Sequence, residues 1–150
     1  MTSALQDIKV VDLSRILAGP WASQMLADMG AEVIKVERPA KGDDTRFWGP
    51  PFIKDATDEQ PPQAAYFHCA NRNKHSIAID ITQELRPQEI KDLTAQADVL
   101  IEHYTLSGIA NYGPDYQCAK AINPRLVDYS NTGFGQSGRT ATKTGYDAMI

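Results

Sequence analysis

The sequence has few cysteines and no long apolar run, and both absences exclude classes of protein. Its 150 residues include two cysteines, Cys69 and Cys118, which are too few and too far apart for a disulfide framework or a zinc site. We interpret both as reduced thiols of a cytoplasmic protein. No apolar run approaches the roughly 20 residues that cross a bilayer. Residues 1–7 also lack a basic segment followed by an apolar one, so we predict neither a membrane span nor a signal peptide.

Histidine and positive charge are scarce as well. The three histidines, His68, His75 and His103, share no metal-ligand spacing, so we expect no metal site. Lysine and arginine together number 15 against 19 acidic residues, which gives a net charge of −4. The chain therefore lacks the broad basic surface of a nucleic-acid-binding protein, although a few local cations could still hold a small anion.

What the sequence does contain is an alternation of strand and helix patterns in the composition of one globular domain. Hydrophobic residues make up 42% and charged residues 23% of the chain. Short β-branched runs predict buried strands, and apolar residues at helical spacing predict helices between them. The predicted strands are 8–13, 33–36, 77–79, 99–101 and 126–127, and the predicted helices are 21–29, 84–97 and 116–122. This order predicts an α/β fold with a parallel sheet.

The segments that follow the predicted strands are the candidate site, because ligands bind at the carboxyl ends of parallel strands. Gly19-Pro20 opens a helix whose free N–H groups could attract an anion, or forms an ordinary strand–helix turn. Arg38 could bind a phosphate or a nearby carboxylate. The cation-rich segment 71–75 and the glycine-rich segment 131–138 could contact a nucleotide or be plain turns. The proline-rich segment 38–65 is predicted to be a long loop, either functional or a solvated excursion.

The order of these motifs resembles the N-terminal part of family III CoA-transferases of the CaiB/BaiF type, over essentially all 150 residues. The resemblance is carried by VVDLS at 10–14, LAGPW at 17–21, LADMGAEVIKVE at 26–37, GDDTR at 42–46, NRNK at 71–74, ADVLIE at 97–102, NPRLV at 123–127, GFGQ at 133–136 and GYD at 145–147. It implies a large Rossmann-like domain, a small domain and a homodimer of two interlocked chains. Residues 1–150 would then form a partial Rossmann-like large domain, truncated before the small domain.

The resemblance also implies an activity. Such enzymes move CoA from an acyl-CoA to a carboxylic acid, with coenzyme A thioesters as substrates and no metal. The nucleophile would be Asp147, whose carboxylate forms a mixed anhydride and then an aspartyl-CoA thioester. The residues around Asp147, taken without the resemblance, indicate instead an aspartate that caps a helix. Because the chain ends just after this residue, the activity is expected of a full-length relative, and the fragment itself need not catalyse anything.

The contacts with CoA that the resemblance implies fall in the segments after the strands. They comprise Leu17 and Ala18 along CoA; Arg38 near the adenosine phosphate; Ala70, Asn71, Arg72, Asn73 and Lys74 around the adenine and ribose; His103, Tyr104 and Thr105; and Thr132, Gly133, Phe134 and Gly135 beside the pantetheine arm. Two positions depart from the family's pattern. Leu106-Ser107 replaces a Pro-Gly pair, and Asn111 replaces an arginine, so one or two phosphate contacts are in doubt.

Two other interpretations stay open at this point. An α-methylacyl-CoA racemase shares the fold but carries a histidine directly before the aspartate of the motif, where this chain has Tyr146. A tyrosine of ordinary pKa near ~10 shuttles protons poorly at neutral pH, which favours the transferase. The other alternative is a non-catalytic CoA-binding fragment, which would bind CoA without turnover.

Overall fold

A five-stranded parallel sheet forms the centre of the fold. In the computed structural model, which describes residues 2–54, 62–82, 87–105, 108, 115–143 and 145, all of its neighbouring strands run parallel. The strands are β1 (Lys9–Asp12), β2 (Glu32–Glu37), β5 (His75–Ala78), β6 (Val99–Glu102) and β7 (Val127–Ser130), in the order β5-β2-β1-β6-β7. This arrangement confirms the predicted α/β class.

Helices and two short elements connect the strands. The helices are α1 (Ala18–Asp28), α2 (Ala65–Asn71), α3 (Pro87–Gln96) and α4 (Tyr116–Ile122), with a 3₁₀ turn at Asp44–Phe47. Between this turn and α2, β3 (Phe52–Ile53) and β4 (Gln63–Ala64) pair antiparallel. The hairpin and α2 both differ from the sequence prediction, which treated 38–65 as a loop and 71–75 as a turn. Helix α1 also begins three residues earlier than predicted, because its apolar stripe starts only at Trp21.

The core lies on both faces of the sheet. Successive strand residues point to opposite faces, so Val10 and Val11, both almost fully buried, belong to different clusters. The Val11 cluster includes Ile90 of α3 and Ala119 of α4, whereas the Val10 cluster includes Ala27 of α1. The described chain is therefore three layers deep, with helices on both faces of the sheet.

The strand order places a crevice at the carboxyl end of the sheet. From β1 the chain builds outward through β2 to β5, and then crosses to the other side of β1 to add β6 and β7. The segments leaving β1 and β6 consequently turn to opposite faces of the sheet and separate. Ligands of open α/β sheets bind at such a switch point.

Candidate functional site

A cleft of about 680 Å³ opens at this switch point. Its walls are the segments that leave three strands: Arg15–Gly19 after β1, His103–Thr105 after β6 and Asn131–Gly133 after β7, together with Trp48 and Lys143. The cleft brings together seven of the residues that the resemblance implied for CoA: Leu17, Ala18, His103, Tyr104, Thr105, Thr132 and Gly133.

The charge of the cleft is opposite to that of the chain. Arg15 and Lys143 line it, and no aspartate or glutamate lies among its described lining residues. In a chain of net charge −4, a concave surface with two cations and no described acid favours an anionic ligand. Backbone N–H groups at the start of α1, beside Leu17 and Ala18, add to this preference.

The turn that carries Leu17 and Ala18 contains a strained residue. Ile16 has a φ of 72°, in the left-handed region that a β-branched residue rarely adopts. Such a conformation costs on the order of 1–3 kcal/mol and persists only where the surroundings hold it. Here the Ile16 N–H donates to the two carboxylate oxygens of Asp43, at 3.2 and 3.4 Å.

Four buried charges lie directly beneath this turn. Asp12, Lys35 and Asp43 are at most 1% exposed, and the Lys74 side chain is 2% exposed. The ammonium of Lys35 is 2.9 Å from Asp43 Oδ2, and that of Lys74 is 3.2 Å from Asp12 Oδ2. Two cations thus neutralise two anions, as buried charges require.

The pKa values of the buried acids follow from this pairing. Burial by itself would raise the pKa of Asp12, but Lys35, Lys74 and two serine hydroxyls outweigh it, and the pKa lies below its usual value. The same balance, with Lys35 as the main partner, lowers the pKa of Asp43. Both carboxylates are therefore ionised at neutral pH.

The position of Lys74 argues against a contact between its ammonium group and a phosphate. Its Nζ donates to the Pro20 carbonyl at 2.7 Å and to Asn71 Oδ1 at 3.2 Å, besides its ion pair with Asp12. An ammonium group that is buried and surrounded by these acceptors cannot reach a phosphate without breaking the network. Burial also lowers the pKa of Lys74 to about 8, although Asp12 opposes the shift.

The remainder of the segment 70–74 lies along α1, away from the described cleft lining. Ala70 and Asn71 are buried, and the Arg72 guanidinium pairs with Asp28 near the end of α1. Asn73 donates to the same carboxylate at 2.8 Å. A contact of this segment with adenine or ribose stays a prediction.

Arg38 lies beside the cleft and shares a carboxylate with Arg15. Asp44 accepts from Arg38 Nη2 and, at 3.3 Å, from Arg15 Nη1. All three side chains are about 40% exposed. One carboxylate between two guanidinium groups leaves a net positive charge, so this edge of the site can still attract an anion.

His103 is the one histidine among the described residues of the cleft wall. Burial, reinforced by the charge of Arg15, lowers the pKa of His103 to about 4, so the ring is neutral at physiological pH. Its buried Nδ1 has no hydrogen-bond partner among the described residues. The preceding residue, Glu102, has a raised pKa because its carboxyl group is buried. Its Oε2 accepts a hydrogen bond from the Tyr104 N–H at 2.6 Å.

A close backbone approach joins the glycine loop to the segment before the predicted nucleophile. A Cβ on Gly133 would lie 2.5 Å from the Cα of Gly145, and the reverse substitution meets the same obstacle. Both positions line the cleft and require glycine.

Asp147 and Tyr146 lie outside the described residues, as do Leu106, Ser107 and Asn111. Phe134 and Gly135 are described but do not line the cleft.

Six of the described residues that line the cleft were not among the candidate residues from the sequence: Arg15, Ile16, Trp48, Gly108, Ala141 and Lys143. Arg15 and Ile16 lie in the segment after the first predicted strand, to which the rule on strand ends pointed, but neither residue was singled out. Trp48 and Lys143 come from distant loops, and no local pattern signals their position.

Within the described ranges no group of three or more His, Cys, Asp or Glu side chains could hold a metal. No described helix has the length and apolar character of a membrane span.

Fold and site together define the class of this protein: a doubly wound α/β domain with a cationic cleft at the carboxyl edge of its sheet. The sequence matches the family described as CoA-transferase family III over residues 5–150. The chain therefore belongs to CoA-transferase family III, a family of enzymes, as its motifs predicted.

Individual relatives agree with this assignment. Succinate–glutarate CoA-transferase of Agrobacterium fabrum is 50% identical over 146 residues, which is 97% of this chain and 36% of the relative. Human succinyl-CoA:glutarate CoA-transferase is 43% identical over 145 residues, 97% of this chain and 32% of the relative. Among solved structures, a CaiB/BaiF family protein from Brucella suis has a TM-score of 0.92 at 52% identity, covering 99% of this chain and 38% of that one. The chain thus spans about a third of the length of these relatives.

Proposed function

We propose that this chain forms the CoA-binding part of an enzyme that moves CoA from an acyl-CoA thioester to a carboxylic acid. The observation that carries the proposal is the cleft, which lies at the carboxyl edge of the sheet and is lined by Arg15 and Lys143 but by no described acid. A CoA thioester is a long polyanion, and its phosphates suit the cationic edge that Arg38 extends. Its pantetheine arm suits the uncharged wall that includes Leu17 and Thr132.

The proposed chemistry uses Asp147 as the nucleophile. Its carboxylate oxygen attacks the thioester carbonyl, the C–S bond breaks, and CoA departs as a thiolate, so that Asp147 and the acyl group form a mixed anhydride. The thiolate then attacks the Asp147 carbonyl carbon and releases the donor carboxylate, which leaves an aspartyl-CoA thioester. An acceptor carboxylate repeats the two steps in reverse. Every step exchanges one acyl bond for another, so no oxidant or metal is needed.

The names of the relatives favour dicarboxylic acids as acceptors of CoA. They act on succinate and glutarate in the Agrobacterium enzyme, on oxalate in one from Acetobacter aceti and on mesaconate in one from Haloarcula hispanica. The names support transferase over racemase chemistry. As part of the proposal, we assign this class of acceptor to the protein. We also propose that the protein forms the homodimer that the family resemblance implies.

The test of the proposal is the substitution Asp147→Asn in the protein expressed from its complete gene. The amide keeps the shape and loses the nucleophile, so turnover should fall by orders of magnitude while CoA still binds. In the wild type, incubation with succinyl-CoA and then hydroxylamine should convert Asp147 to a hydroxamate, identified by mass spectrometry. Full activity of Asp147→Asn, or trapping at Asp128 instead, would contradict the assignment. CoA binding without any turnover in the wild type would favour a non-catalytic CoA-binding protein.

A further inference from the structure

We propose that Asp43 is a positioning residue for the cleft, which holds Ile16 in its left-handed conformation and thereby fixes the first turn of α1 against the ligand. The proposal rests on the proposed function only for the identity of that ligand, a CoA thioester. Asp43 is outside the cleft lining, so its carboxylate acts through the backbone of Ile16.

The first step of the argument is that the turn does not hold itself. Ile16 has a φ of 72°, which a β-branched side chain opposes. The following residue, Leu17, is the N-cap of α1 and provides no side-chain hydrogen bond to the helix. A helix start of this kind would relax toward ordinary backbone angles if nothing outside it intervened.

The second step is that one buried ion pair holds the turn at both ends. Lys35 Nζ donates to the Ser14 carbonyl at 2.9 Å and lies 2.9 Å from Asp43 Oδ2. The same Oδ2 accepts the Ile16 N–H at 3.2 Å. The chain from Ser14 to Ile16 is therefore clamped on a pair that is at most 1% exposed.

The third step is that Asp43 is itself immobilised. Its Oδ1 accepts from the Thr45 N–H at 3.0 Å and from the Thr45 hydroxyl at 2.8 Å. Its own N–H donates to Glu37 Oε2 at 2.6 Å, and Arg46 binds that glutamate with Nε and Nη2. The acceptor for Ile16 thus belongs to a rigid, closed network, as a preorganised site requires.

The substitution Asp43→Asn tests the proposal in the protein expressed from its complete gene. With Thr45 keeping the amide oxygen, the amide NH₂ would face Ile16 N–H and Lys35, so a donor replaces the acceptor. We expect CoA affinity, measured by calorimetry, to fall at least tenfold, and the melting temperature to fall as well. Hydrogen exchange of the 14–21 peptide, which needs no ligand, should become faster.

Rescue separates positioning from simple stabilisation. Glycine adopts positive φ without strain, so Ile16→Gly combined with Asp43→Asn should restore CoA affinity to within threefold of Ile16→Gly alone. The melting temperature should stay low, because Lys35 still lacks its carboxylate. Ala40→Gly is the matched control: Ala40 also has a positive φ, of 61°, but lies outside the cleft lining, so it should restore no affinity.

Several outcomes would overturn the inference. These are wild-type affinity or unchanged hydrogen exchange in Asp43→Asn, equal rescue by Ala40→Gly, and no rescue by Ile16→Gly. If Asp43→Asn fails to fold, Lys35→Met/Asp43→Asn removes both buried charges, and the same comparison is made with and without Ile16→Gly. Failure of the wild type to bind CoA would contradict the proposed function instead, and the exchange measurement would still decide the role of Asp43.

Discussion

At the scale of single residues, the buried ring of His103 links the cleft to folding stability. Burial and then the charge of Arg15 lower its pKa to about 4, against about 6.5 in an unfolded chain. Between these two values the unfolded chain binds a proton that the folded chain does not. The free energy of unfolding therefore decreases as the pH falls from about 6.5 to about 4.

Urea unfolding of the full-length protein at pH 7 and pH 5 checks this expectation. His103→Gln, which cannot take up the proton, should lose less stability over this interval than the wild type. The matched control is His75→Gln, a change at an exposed position of β5, which should lose as much as the wild type. An identical loss in His103→Gln and the wild type would show that the ring is not buried as described.

The environment of two lysines could not be predicted from the sequence. Lys35 and Lys74 are both buried against aspartates, which lie 8 and 62 positions away in the sequence. Nothing in the local pattern reports such pairing, because it depends on two strands and a turn meeting in space. For this reason the ammonium group of Lys74 cannot reach a phosphate without breaking its network, whereas Arg38, on the surface beside the cleft, remains a candidate phosphate ligand.

At the scale of elements, the sequence predicted the five strands of the main sheet and three of the four helices α1–α4 that the structure describes. The strands were predictable because a parallel strand buried on both faces needs a short β-branched run, such as Val33–Val36. Helix α2 and the hairpin β3–β4 were not predictable in this way. The hairpin has two-residue strands next to prolines, and α2 presents Phe67 and Ala70 to neighbours that the sequence does not reveal.

The contact between Gly133 and Gly145 gives a prediction about the glycine loop. Gly133→Ala would place a methyl group 2.5 Å from the Cα of Gly145 and 3.0 Å from its nitrogen, so backbone must move. Gly145 precedes the proposed nucleophile by two residues. We therefore expect kcat to fall by about tenfold or more, and CoA affinity to fall less, because misplaced reacting groups slow the chemical step.

Gly138→Ala is the control for that experiment. Its added methyl group meets nothing within 4 Å, although a φ of +94° makes any side chain unfavourable. It should reduce stability by about 1 kcal/mol and leave kcat unchanged. Steady-state kinetics and thermal melts of both variants separate the two effects, and wild-type kcat in Gly133→Ala would refute the link between the loop and the nucleophile.

At the scale of the whole molecule, the described chain leaves apolar surfaces uncovered, among them one on α1 and one on β7. Trp21, Met25 and Met29 form a stripe along α1 and are each about half exposed. On β7, the strand at one edge of the main sheet as described, Val127 is 61% and Tyr129 46% exposed. Apolar patches and open strand edges of this kind drive association unless another segment or subunit covers them.

We therefore expect residues 1–150, expressed alone, to associate in solution. Light scattering at micromolar concentration should report oligomers, and a hydrophobic dye should bind them. Met25→Glu places a charge on the α1 stripe, and Val127→Lys places one on the β7 edge, where lysine opposes strand pairing. Whichever variant reduces the mass identifies the surface that associates, because each leaves the other surface intact. A monodisperse wild-type monomer with a sharp cooperative melt would contradict the expectation, since it would show that the described sheet and helices are stable without further cover.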